Sequence, residues 1–508
     1  MPRARVAFAV LVLAACGRYS SDELGSESAA TAVASWTAPA ELPVYAAHAA
    51  LLPTTGKILY FSGDAQIGLP LESYVWDPAT GASTRQTFPE NLFCAGLSLL
   101  DDGRVITLGG AADLGVGTSA AYVFDPATEK WARKSSMSFP RWYPTSLKLA
   151  DGRVLAVSGR GAVGSVEVYD PKLDEWRFVG GFTHDFDEYY PALHLLPGGQ
   201  IFNSGAGWTQ KDAAPTGLMT MTGRTSGTWT DFGLQQFPDR QEGAAVLFVD
   251  ETTTPPKVVV TMVGGGLGTN PDQAADRATV ETIDLTDLTA APRWTRAHDM
   301  HFGRTNVNAV TLPNGTILAI GGQTRGKKQR NPGAVLVPEL FDPQANTWTD
   351  MPEMKNPRQY HSTAILLPDG RVVSAGGINP AIAPDTTREG DQFNFEIFSP
   401  PYLSGLRPSI TAAPAKVVYG DTFEVGIDVA PADIRDVTLV TPQSVTHHTN
   451  GDQRFVRLKV IGGEGGKLRV AAPSTANIAP PGFYMLSVVN QRGVPSASKF
   501  VHVEPAPL

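Results

Sequence analysis

The stretch LLDDGRVITLGG, residues 99–110, joins two short apolar runs through an Asp-Gly-Arg turn and ends on a pair of glycines. Short β-branched runs bounded by glycine turns are typical of strands rather than helices. Glycine supplies the positive φ that a tight turn requires, so the stretch predicts a β-hairpin. The same block recurs along the chain, at residues 51–63, 99–110, 149–159, 195–205, 258–265, 312–322 and 366–377.

A second signature follows most of these blocks: an aromatic residue, then Asp-Pro, with a tryptophan nearby. It occurs at WDP 76–78, FDP 124–126, YDP 169–171 and FDP 341–343. Units of about 50 residues with paired glycines and a late tryptophan are typical of kelch repeats, in which each four-stranded blade buries its faces against neighbouring blades. We therefore predict a seven-bladed kelch-type β-propeller over residues 41–400.

The composition agrees with an all-β chain. There are 51 Gly and 40 Pro among 508 residues, and no segment shows a sustained apolar stripe with helical period. The net charge of −9, without a clustered basic stripe, argues against nucleic acid as a partner. We expect a monomer.

The last hundred residues lack the glycine turns and Asp-Pro signatures that mark the repeats. Strand-like segments continue at residues 423–429, 436–440, 454–460 and 483–489. They predict a separate immunoglobulin-like β-sandwich of early-set type over residues 401–508. Its segment THHTNGDQR, residues 446–454, places two adjacent histidines on a hairpin, where a histidine is ordinarily a solvated polar residue.

The N-terminus has the layout of a secretory signal. Arg3 and Arg5 precede an apolar run, residues 6–15, that is too short to cross a bilayer. The tetrapeptide LAAC resembles a bacterial lipobox, which predicts a signal segment over residues 1–16 and acylation of Cys16. A Ser-, Ala- and Gly-rich flexible tether is expected over residues 17–40. The alternative is a plain signal peptide cut at a nearby small residue; in either case the chain is exported to the cell envelope, lipid-anchored or secreted, without a transmembrane helix.

Three chemically unusual residues occupy the same position in three different repeats. Cys94, Tyr143 and His361 each lie eight residues before the Asp of an Asp-Gly-Arg turn. A fixed offset from the same turn gives the same height on the same strand of each blade, so the three side chains are expected to converge. A thiol, a phenol and an imidazole at one point indicate a metal site with a modified tyrosine, and hence an enzyme. For Cys94 alone, the alternative is a small buried apolar residue.

These residues also carry a resemblance to a known family. The matching positions are Cys94 in FCAG, Tyr143 in RWYPT, Tyr360 and His361 in RQYHS, and His447 in the pattern THxxNxDQR. The chain resembles the copper radical oxidases of the glyoxal oxidase and galactose oxidase family, with matches from about residue 41 to residue 505.

The resemblance implies one copper ion per chain, held by Tyr143, Tyr360, His361 and His447, with His447 supplied by the C-terminal domain. It also implies a thioether between Cys94 and Tyr143 that makes the tyrosine ring a radical cofactor. Cu(II) favours such nitrogen and oxygen donors and lowers the pKa of a bound phenol. The implied reaction is a two-electron oxidation of small aldehydes or primary alcohols, with O2 reduced to H2O2 and Tyr360 taking the substrate proton.

Two details of the site follow from strand geometry and comparison. Tyr360 and His361 would face opposite sides of a regular strand, so we expect an irregular strand start that turns both inward. The tryptophan that stacks over the thioether in galactose oxidase has no counterpart, because residues 159–162 read GRGA.

The same offset selects Tyr190 and Asn306 in the fourth and sixth repeats. We predict that both line the substrate site; the alternative is ordinary packing at the rim of the blades. A second function also stays open, because kelch propellers serve as non-catalytic envelope scaffolds or carbohydrate-binding lipoproteins. Fold alone does not decide between these functions.

Overall fold

The structure is a computed structural model that describes residues 33–64, 69–113, 115–182, 188–205, 215–237, 240–266, 278–324, 333–377 and 391–506. Strands dominate these residues, and the helices with described bounds are short 3-10 segments at Leu288–Ala290, Pro401–Ser404 and Pro431–Asp433. The prediction of an all-β chain is confirmed. The predicted signal segment with Cys16, and the tether as far as residue 32, lie outside the described residues.

The kelch repeats form four-stranded antiparallel blades, and the described residues place them in seven sheets. Blade 1 contains His48–Leu51, Ile58–Asp64, Leu69–Trp76 and Ser83–Gln86; blade 2 contains Gly96–Leu99, Val105–Leu108, Ala121–Asp125 and Lys130–Lys134. Blade 3 contains Thr145–Lys148, Val154–Val157, Val166–Asp170 and Glu175–Val179; blade 4 contains Leu193–Leu195, Ile201–Asn203, Thr216–Met221 and Gly227–Gly233. Blade 5 contains Ala244–Asp250, Lys257–Val263, Val280–Asp284 and Trp294–Arg296; blade 6 contains Asn308–Thr311, Ile317–Ile320, Glu339–Asp342 and Thr347–Asp350. Blade 7 contains Ser362–Leu366, Val372–Gly376, Asn394–Ser399 and Ser35–Trp36. In blade 2, a small hairpin of Ala111–Asp113 and Val116–Gly117 follows the second strand.

The N-terminal segment closes the propeller. Ser35–Trp36 forms the outer strand of blade 7, and Ala40–Glu41 pairs with the same neighbour, Asn394–Ser399. The Trp36 indole donates a hydrogen bond to the Pro352 carbonyl at 2.8 Å. The predicted tether therefore extends too far, because its last residues are strands. These strands pair with Asn394–Ser399, in the last repeat, and the composition of the N-terminal segment does not indicate such a distant partner.

Buried ion pairs tie the start of four blades to their own third strands. The pairs are Arg141–Glu167, Arg240–Glu281, Arg304–Glu339 and Arg358–Glu396, and all eight side chains are excluded from solvent. Each arginine also donates to backbone carbonyls within its blade; Arg358, for example, donates to the Gly376 and Asn394 carbonyls at 3.1 Å each. Such pairs are costly to break, because removal of one partner leaves a buried charge. They therefore fix the backbone that leads into the innermost strands.

The C-terminal residues form a two-sheet sandwich, as predicted. One sheet contains Lys416–Val418, Ile434–Val440, Arg454–Leu458, Gly482–Asn490 and Lys499–Glu504; the other contains Ile410–Ala412, Thr422–Ile427, Val460–Glu464 and Lys467–Ala471. The sandwich is not separate, however. Arg454–Leu458 pairs in parallel with Ala244–Asp250 of blade 5, so one sheet runs through both domains. No helix within the described residues has the length and apolar character needed to cross a membrane.

One hairpin leaves the sandwich and enters the propeller. Its strands are Ser444–Thr446 and Thr449–Asn450, and the first pairs antiparallel with His48–Leu51 of blade 1. At its end, Gly451 lies so close to blade 3 that a Cβ there would be 2.6 Å from the Ser146 carbonyl oxygen. Because the hairpin pairs with the innermost strand of a blade, its tip reaches the propeller axis.

Candidate metal centre

The residues that precede the innermost strands adopt left-handed backbone conformations, which are uncommon for residues with side chains. They are Cys94 with φ 65°, Tyr143 with 62°, Tyr190 with 44°, Glu242 with 59°, Asn306 with 55° and His361 with 67°. We call these six residues the axial ring. Backbone hydrogen bonds link neighbours in it: Tyr143 donates to the Cys94 carbonyl at 3.1 Å, Tyr190 to that of Tyr143 at 2.9 Å, and Asn306 to that of Glu242 at 2.7 Å. The fixed offset in the sequence thus corresponds to one backbone geometry in successive blades.

The side chains predicted to converge do so. Possible ligand atoms of Cys94, His361 and His447 all lie within 4.8 Å of one another, and all three residues are buried. The Tyr143 and Tyr360 hydroxyl oxygens are 2.5 Å apart. The ring centroids of the two histidines are 4.2 Å apart, and those of Tyr143 and His447 are 4.7 Å apart. Two imidazoles, two phenols and a thiol therefore form one cluster on the axis.

The irregular strand start expected at Tyr360 and His361 is present. His361 has positive φ immediately before the strand Ser362–Leu366. The two neighbouring rings lie on the same side, stacked with centroids 3.9 Å apart and planes at 29°. In a regular strand they would point to opposite faces. The left-handed residue therefore allows two sequence neighbours to serve one site.

The hairpin presents His447 with a defined ring orientation. His447 Nδ1 is 2.6 Å from the Thr446 hydroxyl oxygen and 3.4 Å from the Tyr190 hydroxyl oxygen. The other ring nitrogen, Nε2, is 3.3 Å from Cys94 Sγ. A hydrogen bond at one imidazole nitrogen fixes the tautomer and leaves the other nitrogen for a metal. His447 is thus arranged to act through Nε2.

Buried and half-buried side chains next to the hairpin hold it against several blades. Asp452 accepts hydrogen bonds from the Lys148 backbone at 2.9 Å and from the Ser98 hydroxyl. Gln443 accepts one from the Leu366 backbone at 2.5 Å. Gln453 donates to the Ala309 carbonyl at 2.9 Å and accepts from the Thr311 backbone at 3.1 Å. These bonds reach blades 2, 3, 6 and 7, so His447 is positioned by four blades of the propeller as well as by its own domain.

The electrostatics of the cluster suit a bound cation. Burial raises the pKa of both Tyr143 and Tyr360 well above the ordinary value, and the neighbouring Cys94 raises both further. A metal ion reverses this effect, because it favours the phenolate form of a coordinated tyrosine. Nitrogen donors from two neutral imidazoles with phenol oxygens match the preference of Cu(II). The residues present therefore fit a copper ion.

Among the described residues, the aromatic side chains next to the Tyr143 ring meet it at steep angles. The Trp142 ring centroid is 4.6 Å from that of Tyr143, with the planes at 80°, and Tyr189 lies at 5.2 Å and 75°. Trp142 is held by paired backbone hydrogen bonds with Arg160, at 3.0 and 2.7 Å, within the stretch that lacks the tryptophan. The ring of Tyr143 thus meets edge-on aromatic neighbours.

The two predicted substrate-lining residues differ in their surroundings. Tyr190 is buried, and its hydroxyl donates to the Ala95 carbonyl at 3.2 Å while lying against His447. It packs behind a candidate ligand, and its role in binding a substrate stays a prediction. Asn306 is fully buried, and neither side-chain polar atom has a hydrogen-bond partner among the described residues.

Sequence reasoning missed Glu242, the axial-ring residue of blade 5. The turn in that repeat, between Ala244–Asp250 and Lys257–Val263, is longer than an Asp-Gly-Arg turn, so the count of eight residues fails. A usable signal was Arg240, because Arg141 and Arg304 also stand two residues before a ring position.

The fold and the cluster together define a class: a kelch-type propeller with a C-terminal sandwich and a buried cluster of possible metal ligands on the propeller axis. Residues 70–402 match the family model described as glyoxal oxidase N-terminus, and residues 407–503 match the galactose oxidase-like early set domain. The first match covers more than half of the chain. The chain therefore belongs to the glyoxal oxidase family.

Individual relatives agree with this assignment. The chain is 28% identical over 508 residues to galactose oxidase of Gibberella zeae. This alignment covers 92% of this chain and 70% of that protein. It is 30% identical over 444 residues to aldehyde oxidase GLOX of Vitis pseudoreticulata, covering 81% and 82% of the two chains. A solved structure of a fungal alcohol oxidase of the AA5 family, in complex with copper, has a TM-score of 0.78 at 24% identity, covering 93% of this chain and 99% of that one. This last likeness confirms the fold of a propeller followed by a sandwich.

Proposed function

We propose that the protein is a copper radical oxidase that oxidises small primary alcohols or hydrated aldehydes and passes the electrons to O2. The overall reactions would be RCH2OH + O2 → RCHO + H2O2 and RCH(OH)2 + O2 → RCOOH + H2O2. The observation that supports this proposal is the single buried cluster of Cys94, Tyr143, Tyr360, His361 and His447. The names of the relatives, galactose oxidase and aldehyde oxidase, agree with it.

The proposed copper ligands are one ring nitrogen each of His361 and His447 together with the phenol oxygens of Tyr143 and Tyr360. When bound, copper supplies one electron acceptor and the oxidised Tyr143 ring supplies the second. His447 would bind through Nε2, since Nδ1 is engaged by Thr446. Burial of the cluster excludes water from the oxidised ring.

The proposed redox group includes a thioether between Cys94 and the Tyr143 ring. Cys94 is fully buried and belongs to the same apolar cluster as Tyr143. It is also close enough to raise the pKa of the Tyr143 hydroxyl. It is the one cysteine within the described residues, so they contain no second thiol that could compete for the Tyr143 ring. Formation of the bond removes the thiol hydrogen and one ring hydrogen, and O2 with copper would take up both electrons.

Tyr360 is the proposed proton acceptor. Its hydroxyl lies 2.5 Å from that of Tyr143, so a substrate hydroxyl beside Tyr143 would also be beside Tyr360. Burial raises its pKa in the metal-free site, and a bound metal ion would favour the phenolate form that accepts a proton. The substrate proton would move to the Tyr360 oxygen, and hydrogen would leave the substrate carbon for the Tyr143 oxygen.

One observation favours a second, binding function. A cavity of about 910 Å³ lies between blades 5 and 6 and the C-terminal domain, and its lining includes Arg293, Arg492 and Lys257 but none of the candidate ligands. A non-catalytic scaffold or carbohydrate-binding protein could use such a cavity. That function, however, gives no role to a buried thiol, two phenols and two imidazoles in contact.

We also propose export with acylation of Cys16, which would hold the protein at the cell envelope. The support is the N-terminal sequence alone. Labelling with a fatty acid analogue should mark the wild-type protein and not Cys16→Ser. Labelling of both proteins, or of neither, would contradict acylation at this residue.

The proposed activity is tested with copper-loaded protein in a peroxidase-coupled assay. Small aldehydes and primary alcohols should give peroxide, and Tyr143→Phe and His447→Ala should abolish it. Matched controls are Tyr169→Phe, a buried blade 3 tyrosine that donates to Asp174, and His502→Ala in the sandwich; both should keep activity. Sustained turnover in Tyr143→Phe, or no peroxide from any substrate, would contradict the proposal.

A further inference from the structure

One cavity shares no lining residue with the candidate metal centre. It has a volume of about 910 Å³ and lies between blade 5, blade 6 and the C-terminal sandwich. Cavities that bind small molecules usually measure about 300–1,000 Å³. This cavity is therefore large enough to hold a ligand of the size of a short oligosaccharide.

The wall that blade 5 contributes to the cavity is polar. Thr261, Thr282 and Thr295 lie directly opposite one another on three adjacent strands, and all three line the cavity. We call these three residues the threonine row. The face of a propeller blade is ordinarily buried against the next blade, which favours apolar side chains. A row of hydroxyls on this face instead offers donors and acceptors to the hydroxyl groups of a ligand.

The cavity is also rich in positive charge. Its described lining contains the carboxylates of Asp250, Asp284 and Asp342. The cationic lining residues are twice as many: Lys257, Arg293, Arg296, Arg435, Arg457 and Arg492. The whole chain, by contrast, carries a net charge of −9. The cavity is therefore a local positive region on an acidic protein.

Half of these cationic side chains already have carboxylate partners. The pairs are Arg296–Asp299, Arg435–Asp436 and Arg457–Asp250. Lys257, Arg293 and Arg492 form no ion pair within the part of the chain that the structure describes. We call them the three unpaired cations. They leave positive charge in the cavity that a ligand could neutralise.

The other two carboxylates of the lining serve their own turns. Asp284 accepts a hydrogen bond from the Thr286 backbone at 2.9 Å, and Asp342 accepts one from the Gln344 backbone at 2.8 Å. Neither lies within ion-pair distance of a cationic side chain among the described residues. The three unpaired cations are therefore available for an anion.

We propose that this cavity binds an anionic saccharide, whose carboxylate groups contact the three unpaired cations and whose ring hydroxyls contact the threonine row. Arginine presents a planar fork of donors that matches a carboxylate. The half-buried side chains of Phe248 and Leu340 add apolar surface for the C–H face of a sugar ring. This inference goes beyond the oxidase activity and does not depend on it, because the cavity contains no candidate copper ligand.

The first test measures binding to the intact protein by isothermal titration calorimetry. The anionic probes are trigalacturonate and trimannuronate, the neutral probe is maltotriose, and the small anion is inorganic phosphate. At least one uronate trisaccharide should bind saturably, with a Kd at least about tenfold below those of maltotriose and phosphate, since only the uronate engages both the cations and the hydroxyls. Its binding should weaken as NaCl rises from about 50 mM to about 500 mM, because salt screens the charges.

The second test changes the cavity. Arg293→Gln and Arg492→Gln should each weaken uronate binding by about 5- to 10-fold, because each removes a charge-assisted hydrogen bond at a site partly screened by water. Thr282→Val removes the central hydroxyl of the threonine row and should weaken binding by about fivefold. Arg469→Gln changes an exposed arginine of the sandwich outside the cavity and should match wild type. Thermal unfolding checks that each variant is folded.

The results that would overturn this proposal are distinct from those that bear on the oxidase. No saturable binding of either uronate, or equal affinities for uronate and maltotriose or for uronate and phosphate, would overturn the class of ligand. Wild-type affinity in the double variant Arg293→Gln/Arg492→Gln would overturn its place in this cavity. Because the readout is binding and not peroxide release, failure of the oxidase proposal leaves this test unaffected.

Discussion

Removal of the Thr446 hydroxyl should weaken copper binding without unfolding the protein. Thr446→Val keeps the side-chain shape and deletes the oxygen that lies 2.6 Å from His447 Nδ1. Both residues are buried, so water does not replace the lost partner. The ring is then free to adopt the tautomer that places hydrogen on Nε2, the nitrogen needed for the metal.

The size of the effect follows from the contacts at Nδ1. An unsatisfied buried N–H costs about 1–3 kcal/mol. Since about 1.4 kcal/mol corresponds to a tenfold change, copper affinity should fall by about 5- to 150-fold. The Tyr190 hydroxyl, 3.4 Å from the same nitrogen, can compensate in part. We therefore expect a loss of about tenfold for Thr446→Val and about a hundredfold for the double variant Thr446→Val/Tyr190→Phe, within the range known for outer-sphere partners of metal ligands.

The assay is competition for Cu(II) against a chelator of known affinity, followed by electron paramagnetic resonance. Thr438→Val is the matched control, because the buried hydroxyl of this sandwich residue donates a 2.8 Å hydrogen bond to the Pro313 carbonyl in a blade 6 turn, away from the cluster. It should keep wild-type affinity. Thermal unfolding of the copper-free proteins checks that each is folded. Wild-type copper affinity in the double variant would refute the role given to Nδ1 and hence the assignment of Nε2 as ligand.

Three further predictions concern stability. Arg358→Met leaves the Glu396 carboxylate buried without its ion pair and should lower the free energy of unfolding by about 3–5 kcal/mol in denaturant titrations, with an unchanged value counting against the buried pair. The hydrogen bond with Asp350 raises the pKa of His301, so its stabilisation is present below the unfolded pKa near 6.5 and is lost as pH rises through the higher folded pKa. His301→Gln should therefore be less stable than wild type by about a few tenths of a kcal/mol near pH 5.5 and equal to it near pH 8.5; the opposite pH trend would contradict this sign. Trp36→Ala should lower the unfolding temperature, since Trp36 closes blade 7, and no change would show that the closing strand adds nothing.

The sequence predicted most of the site because the site repeats. Cys94, Tyr143 and His361 share one offset from one kind of turn, and the structure gives all three the same left-handed backbone. Glu242 was not predicted because its repeat has a longer turn. The offset of eight residues therefore does not apply there, although Glu242 has the same left-handed backbone. An offset rule therefore works only where the turn length is constant, whereas Arg240 and its buried glutamate partner mark the position independently of turn length.

The missed features of the fold are long-range pairings. Ser35–Trp36 pairs with Asn394–Ser399, and Ala244–Asp250 pairs with Arg454–Leu458, across some of the largest sequence separations in the chain. Local periodicity identifies a strand but not its distant partner. The hairpin that carries His447 was found only through its motif, and its anchoring to several blades depends on side chains that no local pattern relates to one another.

The thioether between Cys94 and Tyr143 is the central chemical claim, and intact-protein mass spectrometry tests it most directly. After aerobic copper loading, the wild-type protein should be lighter by two hydrogen atoms than the same protein prepared without copper, and peptide mapping should place the cross-link between these two residues. Cys94→Ser should show no loss. An unchanged mass in copper-loaded, aerobically treated wild type would contradict the account.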